Sequence, residues 1–302
     1  MKVLITGGLG FVGTQLSIRL TERGHQVTVV DRSPEPHEHT PGEISYVSGD
    51  TTVQGAWQQE VVTQDAVINL AGASIFSRWN RETKKLMYDS RVLTTRNIVE
   101  AMPGKERAVL CSTSAVGYYG FRGDEEIAED GTPGDDFLAS LCVDWETEAL
   151  KAADKGIRVA ITRFGIVLGK TGGALGQMIP AFKKFVGGPL GSGNQWFSWI
   201  HMEDLLNAVL FVFENQEVSG PVNFCSPNPV QNRDLAKALG KVLSRPSFIT
   251  TPGFMLKLVM GEFGSVLLEG QRVIPAKLLR HGFGFRYPEV MSALEEAVGK
   301  TS

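Results

Sequence analysis

The fold of this chain is decided by residues 2–31, which read KVLITGGLGFVGTQLSIRLTERGHQVTVVD. The first five of these residues predict a buried strand, because they are mostly apolar and rich in β-branched side chains. A glycine-rich turn follows, then a helical pattern that ends near Gly24, and then a second apolar run that ends in Asp31. Strand, glycine turn, helix, strand and acid occur here in the order of a dinucleotide-binding βαβ unit.

Each glycine of the turn has a predicted steric role. Glycines 7, 10 and 13 fit the pattern G-x-x-G-x-x-G, and glycines 8, 10 and 13 fit G-x-G-x-x-G. A tight turn needs positive φ, which glycine adopts without steric cost. A pyrophosphate can approach the N–H groups of a helix N-terminus only where no Cβ intervenes. We therefore expect a nucleotide at this turn.

Strand-like and helix-like segments continue to alternate along the chain. We predict strands at 44–47, 66–70, 108–112 and 158–162, and helices at about 81–101 and 136–153. A polar, proline-punctuated stretch at 32–42 predicts a surface loop. This alternation favours an α/β fold of the Rossmann type, a doubly wound parallel sheet with its ligands at the strand C-termini.

The pattern changes after residue 163, where glycine-dense loops appear at 169–173 and 187–193. We predict a dinucleotide-binding Rossmann domain over residues 1–170 and a smaller C-terminal substrate-capping region over 171–302. A helix and a strand within residues 201–226 could return to the main sheet.

Composition indicates which classes of partner and which cellular compartment to expect. A net charge of −3 gives no reason to expect nucleic acid or an anionic membrane as a partner. The three cysteines are widely spaced and lack a C-x-x-C pattern, so we expect neither a metal site nor a disulfide framework. Free thiols suit a reducing compartment, and no apolar stretch approaches the length of a membrane span. We expect a cytoplasmic protein that acts on a small molecule.

Several motifs resemble the extended short-chain dehydrogenase/reductase family, the NAD-dependent epimerase/dehydratases. The matching segments are residues 6–13, 69–72, 112–114 and 199–204. Three longer motifs, SAVGYYG at 114–120, GGPLGSG at 187–193 and LEGQRVIP at 268–275, are similar to a poorly characterised subgroup of bacteria and animals. Members of that subgroup carry an extra C-terminal segment.

The resemblance implies roles for individual residues. The positions that it assigns to the cofactor are Gly7, Gly10, Phe11, Val12, Gly13, Asp50, Thr51, Leu70, Ala71, Gly72, Arg91 and Arg163. The first five would cradle the pyrophosphate, the next five would meet the adenosine, and Arg91 would lie near the nicotinamide. Ser114 matches the active-site hydroxyl that hydrogen-bonds a substrate oxygen.

The chain departs from the family at its acid/base residues. The family normally carries Tyr-x-x-x-Lys on the helix after the serine strand, where Lys⁺ helps lower the pKa of the tyrosine. Aligning Glu146 with the usual acid of that helix puts Leu138 and Cys142 at the two places. A shift by one residue supplies neither Tyr nor Lys. Tyr118 or its neighbour Tyr119 could substitute.

His201 also titrates in a useful range. We favour a structural role for this histidine, one that holds a loop against the body of the protein. Packing is likewise the stronger interpretation for Tyr118.

The sequence leaves the choice of cofactor open between NAD and NADP. Asp31, at the end of the second strand, should accept hydrogen bonds from a ribose diol and repel a 2′-phosphate, which favours NAD. Arg32 could instead bind that phosphate, and the subgroup also suggests NADP.

Two functions remain open on these grounds. The first is an oxidoreductase or epimerase-like enzyme, with Ser114 as the surest pocket residue. The alternative is a catalytically silent, cofactor-binding sensor or scaffold, because some plastid and cyanobacterial relatives are linked to cell division. A sugar-nucleotide enzyme is a weaker third possibility, because no second basic cluster marks a diphosphate site. The resemblance also implies a possible homodimer through the helices near 81–101 and 136–153.

Overall fold

The computed structural model describes residues 1–33, 44–104, 108–170 and 172–299. Most of the loop predicted at 32–42 lies outside these residues. The strands are β1 (Lys2–Thr6), β2 (Gln26–Asp31), β3 (Ile44–Ser48), β4 (Ala66–Asn69), β5 (Val109–Ala115), β6 (Glu126–Ile127), β7 (Arg158–Phe164), β8 (Ile166–Leu168), β9 (Trp196–Phe197), β10 (Trp199–His201), β11 (Gly220–Phe224), β12 (Val230–Gln231) and β13 (Arg272–Val273).

The helices alternate with the long strands and then dominate the C-terminal part. They are α1 (Phe11–Glu22), α2 (Gln58–Val62), α3 (Arg81–Ala101), α4 (Phe137–Leu150), α5 (Gly173–Lys183), α6 (Met202–Glu214), α7 (Asn232–Leu243), α8 (Gly253–Met260), α9 (Glu262–Val266), α10 (Ala276–Arg280) and α11 (Val290–Val298). None of the helices within the described ranges is long and apolar enough to cross a membrane.

Seven parallel strands form the main sheet, in the order β11-β7-β5-β4-β1-β2-β3. The chain runs outward from β1 to β3, returns to β4 on the other side of β1, and continues outward to β11. The strand order therefore reverses between β1 and β4, which is where open α/β sheets bind their ligands. The predicted Rossmann-type α/β fold is confirmed.

The sheet separates two apolar layers. Successive strand residues point to opposite faces, so Ile5 packs in the cluster with α1 and α6, whereas Leu4 packs in the cluster with α3 and α4. Both side chains are fully buried. Burial on both faces explains why the predicted strands are continuous apolar runs instead of alternating ones.

The predicted helix ends agree with local capping chemistry. Helix α3 covers the predicted 81–101 and begins with a capping box between Asn80 and Thr83. Asp136 caps α4 by accepting N–H hydrogen bonds from two residues of the first turn. Gly24 has φ of +78°, and its N–H donates to the carbonyl of Thr21, as expected of a glycine that ends a helix.

The C-terminal part rejoins the main sheet through β11, which pairs with β7 over residues 220–224. Three pairs of short strands, β10 with β8, β12 with β9 and β13 with β6, form separate small sheets. Since the sheet takes a strand from residues 220–224, a boundary at residue 170 would cut across it, and the division into two domains stays a prediction.

Two carboxylates attach the last part of the chain. Asp204 accepts the N–H groups of Arg286 at 2.7 Å and Tyr287 at 2.9 Å. Glu129 accepts the N–H of Lys277 at 3.1 Å and that of Asn223 at 3.1 Å. Burial raises the pKa of Asp204 above its ordinary value, although these backbone donors oppose the shift.

Candidate functional site

The glycine turn between β1 and α1 has no room for a side chain at Gly7 or Gly13. Gly7 has φ of +69°, and a Cβ there would lie 2.9 Å from the Cα of Ala71. A Cβ on Gly13 would lie only 2.4 Å from the carbonyl oxygen of Gly7. The N–H of Gly10 donates to that same oxygen at 3.0 Å, which closes the turn. These contacts explain why glycine stands at each position.

The N-terminus of α1 is open to an anion. Its capping residue, Gly10, makes no side-chain hydrogen bond, and the first turn holds no acidic residue. The N–H groups of Phe11, Val12 and Gly13 have no acceptor within the helix because of the geometry of a first turn. Together with the helix dipole, these donors fit a pyrophosphate.

Asp31 and Arg32 differ in what they offer to a ligand. The Asp31 carboxylate accepts the N–H groups of Leu9 at 3.3 Å, Arg32 at 2.8 Å and Ser33 at 3.4 Å. The Arg32 side chain is exposed, and within the described ranges no hydrogen bond or ion pair engages its guanidinium. The aspartate therefore stabilises its own turn, whereas the arginine is available for a phosphate.

The residues expected around adenine lie beside this turn. Hydrogen bonds from Thr52 hold the pKa of Asp50 below its ordinary value, and the charge of Arg32 adds to this effect. Thr51 is buried, and its hydroxyl bonds that of Thr94 at 2.9 Å. Asp50 is therefore an exposed acceptor at the edge, while Thr51 supports the loop from inside.

Leu70, Ala71 and Gly72 follow β4 and border the glycine turn. Beneath them, Arg91 donates to the carbonyl oxygen of Ala73 at 3.0 Å and to that of Met87 at 3.1 Å. A Cβ on Gly72 would lie 3.1 Å from the Arg91 guanidinium carbon. Burial lowers the pKa of Arg91. Arg91 supports this loop, and its contact with nicotinamide stays a prediction.

Ser114 lies in a buried polar network on the other side of β4. Its hydroxyl donates to Glu146 at 2.6 Å, and the same carboxylate accepts two hydrogen bonds from Arg163, at 2.8 and 2.7 Å. All three side chains are buried. Because the Ser114 hydroxyl donates to Glu146, its oxygen is left as an acceptor only. Only 1% of Ser114 is exposed, so its contact with a substrate stays a prediction.

Arg163 lies inside this network, at the C-terminal end of β7 and in register with Ser114. Besides Glu146, its guanidinium donates to the Tyr119 hydroxyl at 2.9 Å and to the carbonyl oxygen of Glu129 at 3.3 Å. Burial alone would lower the pKa of Arg163, but the hydrogen-bonded carboxylate of Glu146 raises it. With its donors occupied in this way, the geometry gives no support to the predicted contact between Arg163 and a cofactor.

The two neighbouring tyrosines have different environments. Tyr119 is fully buried, and its hydroxyl donates to Asn223 at 2.7 Å. Burial raises the pKa of Tyr119 well above its ordinary value. Tyr118 is only half-buried, and its ring lies 3.5 Å from the guanidinium carbon of Arg163. Of the two phenols, Tyr118 is the one that a substrate can reach.

Helix α4 places apolar groups where the family has its acid/base pair. Leu138 packs in an apolar cluster with Trp79 and Trp145. Cys142 is buried, its thiol lies 3.9 Å from the carbonyl oxygen of Ala115, and burial raises its pKa to about 11. A neutral thiol cannot replace the cation of a lysine.

His201 has a structural role, as the sequence favoured. Its Nδ1 accepts the N–H of Glu203 at the start of α6, and its Nε2 pairs with Glu296 at 2.9 Å. Burial lowers the pKa of His201, although Glu296 opposes the shift. The imidazole thus joins α6 to α11.

Sequence reasoning used Glu146 only as an alignment marker and overlooked Asn223. Each is a polar residue in an apolar setting: Glu146 follows Cys142 and Trp145 on a buried stripe, and Asn223 interrupts the strand PVNFC. A lone carboxylate on a buried stripe indicates a charged partner, because such groups are rarely buried unpaired. That signal could have identified the pair with Arg163.

Comparisons with known proteins agree with this geometry. A model of the NAD dependent epimerase/dehydratase family matches residues 3–225, and a domain of unknown function, DUF1731, matches residues 251–297. Epimerase family protein SDR39U1 homolog, chloroplastic, of Arabidopsis thaliana is 43% identical over 298 residues, covering 97% of this chain and 86% of that protein. Epimerase family protein YfhF of Bacillus subtilis is 36% identical over 301 residues, covering 99% and 98%.

Solved structures extend the comparison. The crystal structure of human epimerase family protein SDR39U1 (isoform2) with NADPH has a TM-score of 0.87 and 34% identity, and each chain is covered in full (100%). MoeE5 in complex with UDP-glucuronic acid and NAD has a TM-score of 0.81 at 20% identity over 99% of this chain and 98% of that one, which shows the shared fold alone. From the matched family model and these relatives, the chain belongs to the NAD dependent epimerase/dehydratase family, with the DUF1731 segment at its C-terminal end.

Proposed function

We propose that this protein binds NADP(H) at the C-terminal edge of the main sheet and uses it in redox chemistry on a small molecule. The observation that carries the proposal is the glycine turn, where the Gly7 and Gly13 positions exclude any Cβ next to an uncapped helix N-terminus. A dinucleotide pyrophosphate is the ligand that such a turn fits best.

Arg32 supports NADP(H) over NAD(H). The Asp31 carboxylate already accepts three backbone N–H groups, whereas the exposed guanidinium of Arg32 has no bonding partner among the described residues and can pair with a 2′-phosphate in a bidentate geometry. The NADPH in the human relative's structure also favours this choice for the present chain.

The proposed chemistry uses the hydroxyls at the end of β5. Bound NADP(H) would supply or accept a hydride. Ser114 would hold a substrate hydroxyl by accepting its hydrogen bond, because the Ser114 hydroxyl already donates its own hydrogen bond to Glu146. Tyr118, half-buried beside Arg163, would be the phenol that exchanges a proton with the substrate.

The test is a fluorescence titration of the purified protein with NADPH and with NADH. We expect saturable NADPH binding that is weaker by about tenfold or more in Arg32→Gln, because one charge-assisted contact is lost. NADH binding should be the same in both proteins. A wild-type preference for NADH would make Asp31 the deciding residue instead. No binding of either nucleotide to a folded protein would overturn the proposal.

A catalytically silent sensor or scaffold is the second candidate. It is favoured by Leu138 and Cys142, which remove the family's phenol and ammonium from α4. A panel of carbonyl and hydroxyl compounds, assayed for NADPH oxidation or NADP⁺ reduction, separates the two functions. An enzyme loses turnover in Tyr118→Phe with NADPH binding intact. A scaffold shows no turnover at all. Its partner binding should be lost in Gly10→Val and unchanged in Tyr118→Phe.

A homodimer and a cytoplasmic location stay predictions. Helices α3 and α4 pack against each other, and they leave Leu86 and Leu150 about half-exposed, at 51% and 44%. Sedimentation of the wild type and of Leu86→Glu tests the dimer directly, because a charge at a buried interface should dissociate it.

A further inference from the structure

We propose that one face of the C-terminal part docks on an anionic lipid bilayer. This face, named here the apolar-basic face, consists of residues 183–191 and 245–260. It includes the end of α5, the loop before α8 and α8 itself. The proposal does not depend on the cofactor or on the reaction.

The apolar part of the face is unusually exposed. Helix α8 reads GFMLKLVM and contains no buried residue. Phe254, Leu258 and Val259 have 73%, 74% and 68% of their surface exposed, and Phe248 in the preceding loop has 79%. The other exposed large apolar residues of the face are Phe185, Val186, Ile249 and Met255. Contiguous exposure of this kind marks an interaction surface.

The two segments are neighbours in space. The N–H of Thr251 donates to the carbonyl oxygen of Pro189 at 2.9 Å, and the N–H of Gly191 donates to that of Thr251 at 2.9 Å. Further along, the Arg245 guanidinium carbon lies 4.8 Å from the centre of the Phe185 ring. The two segments that carry these exposed apolar residues therefore lie side by side.

Charge on this surface is of one sign. Residues 155–202 and 235–261 contain no Asp or Glu. The exposed cations on the face and on residues 235–243 of the adjoining helix α7 are Lys183, Lys184, Lys237, Lys241, Arg245 and Lys257, whereas the first turn of α7 carries one exposed charge of each sign, Arg233 and Asp234. None of them forms an ion pair with another residue of the described ranges. The net charge of −3 argued against an anionic membrane, but it averages over the whole surface and conceals this face.

A bilayer fits these features better than a protein partner does. Helix α8 packs on α9 but leaves Phe254, Leu258 and Val259 largely exposed, so these side chains need a medium that accepts them without a complementary groove. The boundary between lipid headgroups and acyl chains is such a medium, and anionic headgroups attract the flanking lysines. Long lysine side chains can also reach the headgroups while their stems stay in apolar contact.

The experiment is co-sedimentation of the full chain with vesicles of phosphatidylcholine alone or mixed with phosphatidylglycerol. We expect binding to the mixed vesicles only, and weaker binding at high salt. The double variant Lys183→Glu, Lys184→Glu should bind at least about tenfold more weakly, because two attractive charges become repulsive. The double variant Leu258→Ser, Val259→Ser should lose about tenfold through its smaller apolar contact.

Val62→Ser is the matched control, because Val62 is an apolar residue of α2 with 50% of its surface exposed outside the face. It should bind vesicles like the wild type. Circular dichroism shows whether each variant is folded. Equal recovery with and without anionic vesicles would overturn the proposal, and so would binding that neither double variant weakens. A dimer that dissociates in Leu258→Ser, Val259→Ser, without vesicle binding, would assign the face to a second copy of the chain.

Discussion

The two halves of the candidate site consist of different kinds of chemical group. The nucleotide half, around Gly7 and Gly13, consists of backbone groups and empty space, and it keeps every feature of its motif. The substrate half, around Ser114, consists of side chains that are hydrogen-bonded to one another in a buried network, and it has lost the family's tyrosine and lysine. A fold can thus keep a cofactor site while the chemistry next to it changes.

The difference also predicts how each half responds to mutation. A backbone-built site tolerates no added atoms, because its neighbours are rigid main chain. A network of buried side chains tolerates no removed charge, because the remaining partner stays buried and unpaired. The following predictions test this contrast, beginning with the largest expected effect.

Glu146→Ala should destabilise the protein most. It leaves the Arg163 guanidinium, with 3% of its side chain exposed, without a counter-charge. We expect the free energy of unfolding, measured in urea, to fall by about 3–5 kcal/mol. Glu148→Ala is the control on the same helix, because its partners Arg96 and Lys151 are 45% and 54% exposed. Its loss should be below about 1 kcal/mol. Equal losses would show that burial of the pair is unimportant.

Gly13→Ala should remove NADPH binding. The new Cβ would lie 2.4 Å from the Gly7 carbonyl oxygen and 2.6 Å from the Cα of Gly8, so the turn must move. We expect no saturation in an NADPH titration and a loss of about 1–3 kcal/mol in unfolding free energy. In Gly176→Ala the Cβ meets no atom within 4 Å, so this helical variant should bind normally. Normal NADPH binding by Gly13→Ala would refute a backbone-built nucleotide site.

Tyr119→Phe should have an intermediate effect confined to the substrate half. The Tyr119 hydroxyl both donates to Asn223 and accepts from Arg163, so its removal leaves two buried partners unsatisfied. We expect the free energy of unfolding to fall by about 1–3 kcal/mol, with NADPH affinity unchanged. A parallel loss of NADPH affinity would mean that the two halves are coupled.

The smallest effect should appear in the pH dependence of stability. Because burial lowers the pKa of His201, the folded protein binds fewer protons at this residue than the unfolded chain does. The contribution of His201 to the free energy of unfolding is complete above pH 6.5, which is the ordinary pKa of histidine, and it is lost as the pH falls below that value. His201→Asn should reduce the slope of unfolding free energy against pH in that window by at most about 1.4 kcal/mol per pH unit. Identical slopes in the two proteins would contradict the prediction.

The local part of the fold was predictable from the sequence. Strand β1, the glycine turn, α1 and β2 are all specified within residues 2–31, and each depends on neighbours along the chain. The start of α3 followed from its periodicity, and its capping box acts over three residues. Such signals need no knowledge of tertiary contacts.

The substrate half was less predictable because its contacts are not local. Ser114 and Glu146 are 32 residues apart, and Glu146 and Arg163 are 17 apart. No period or motif along the chain pairs a serine, a glutamate and an arginine on three different elements. For the same reason the sequence does not reveal that Arg163 pairs with Glu146, and the contact of Arg163 with a cofactor stays a prediction.

The two carboxylates that bind the last part of the chain also bear on the order of events during synthesis. The ribosome releases the N-terminal part first, and all seven strands of the main sheet are available once residue 224 has emerged. At that moment Asp204 still lacks the N–H groups of Arg286 and Tyr287, and Glu129 lacks that of Lys277. These acids can remain hydrated in the nascent chain, and they lose water only when the C-terminal segment arrives. Completion of the main sheet and attachment of the C-terminal segment to it are therefore separable steps in the folding of this protein during synthesis.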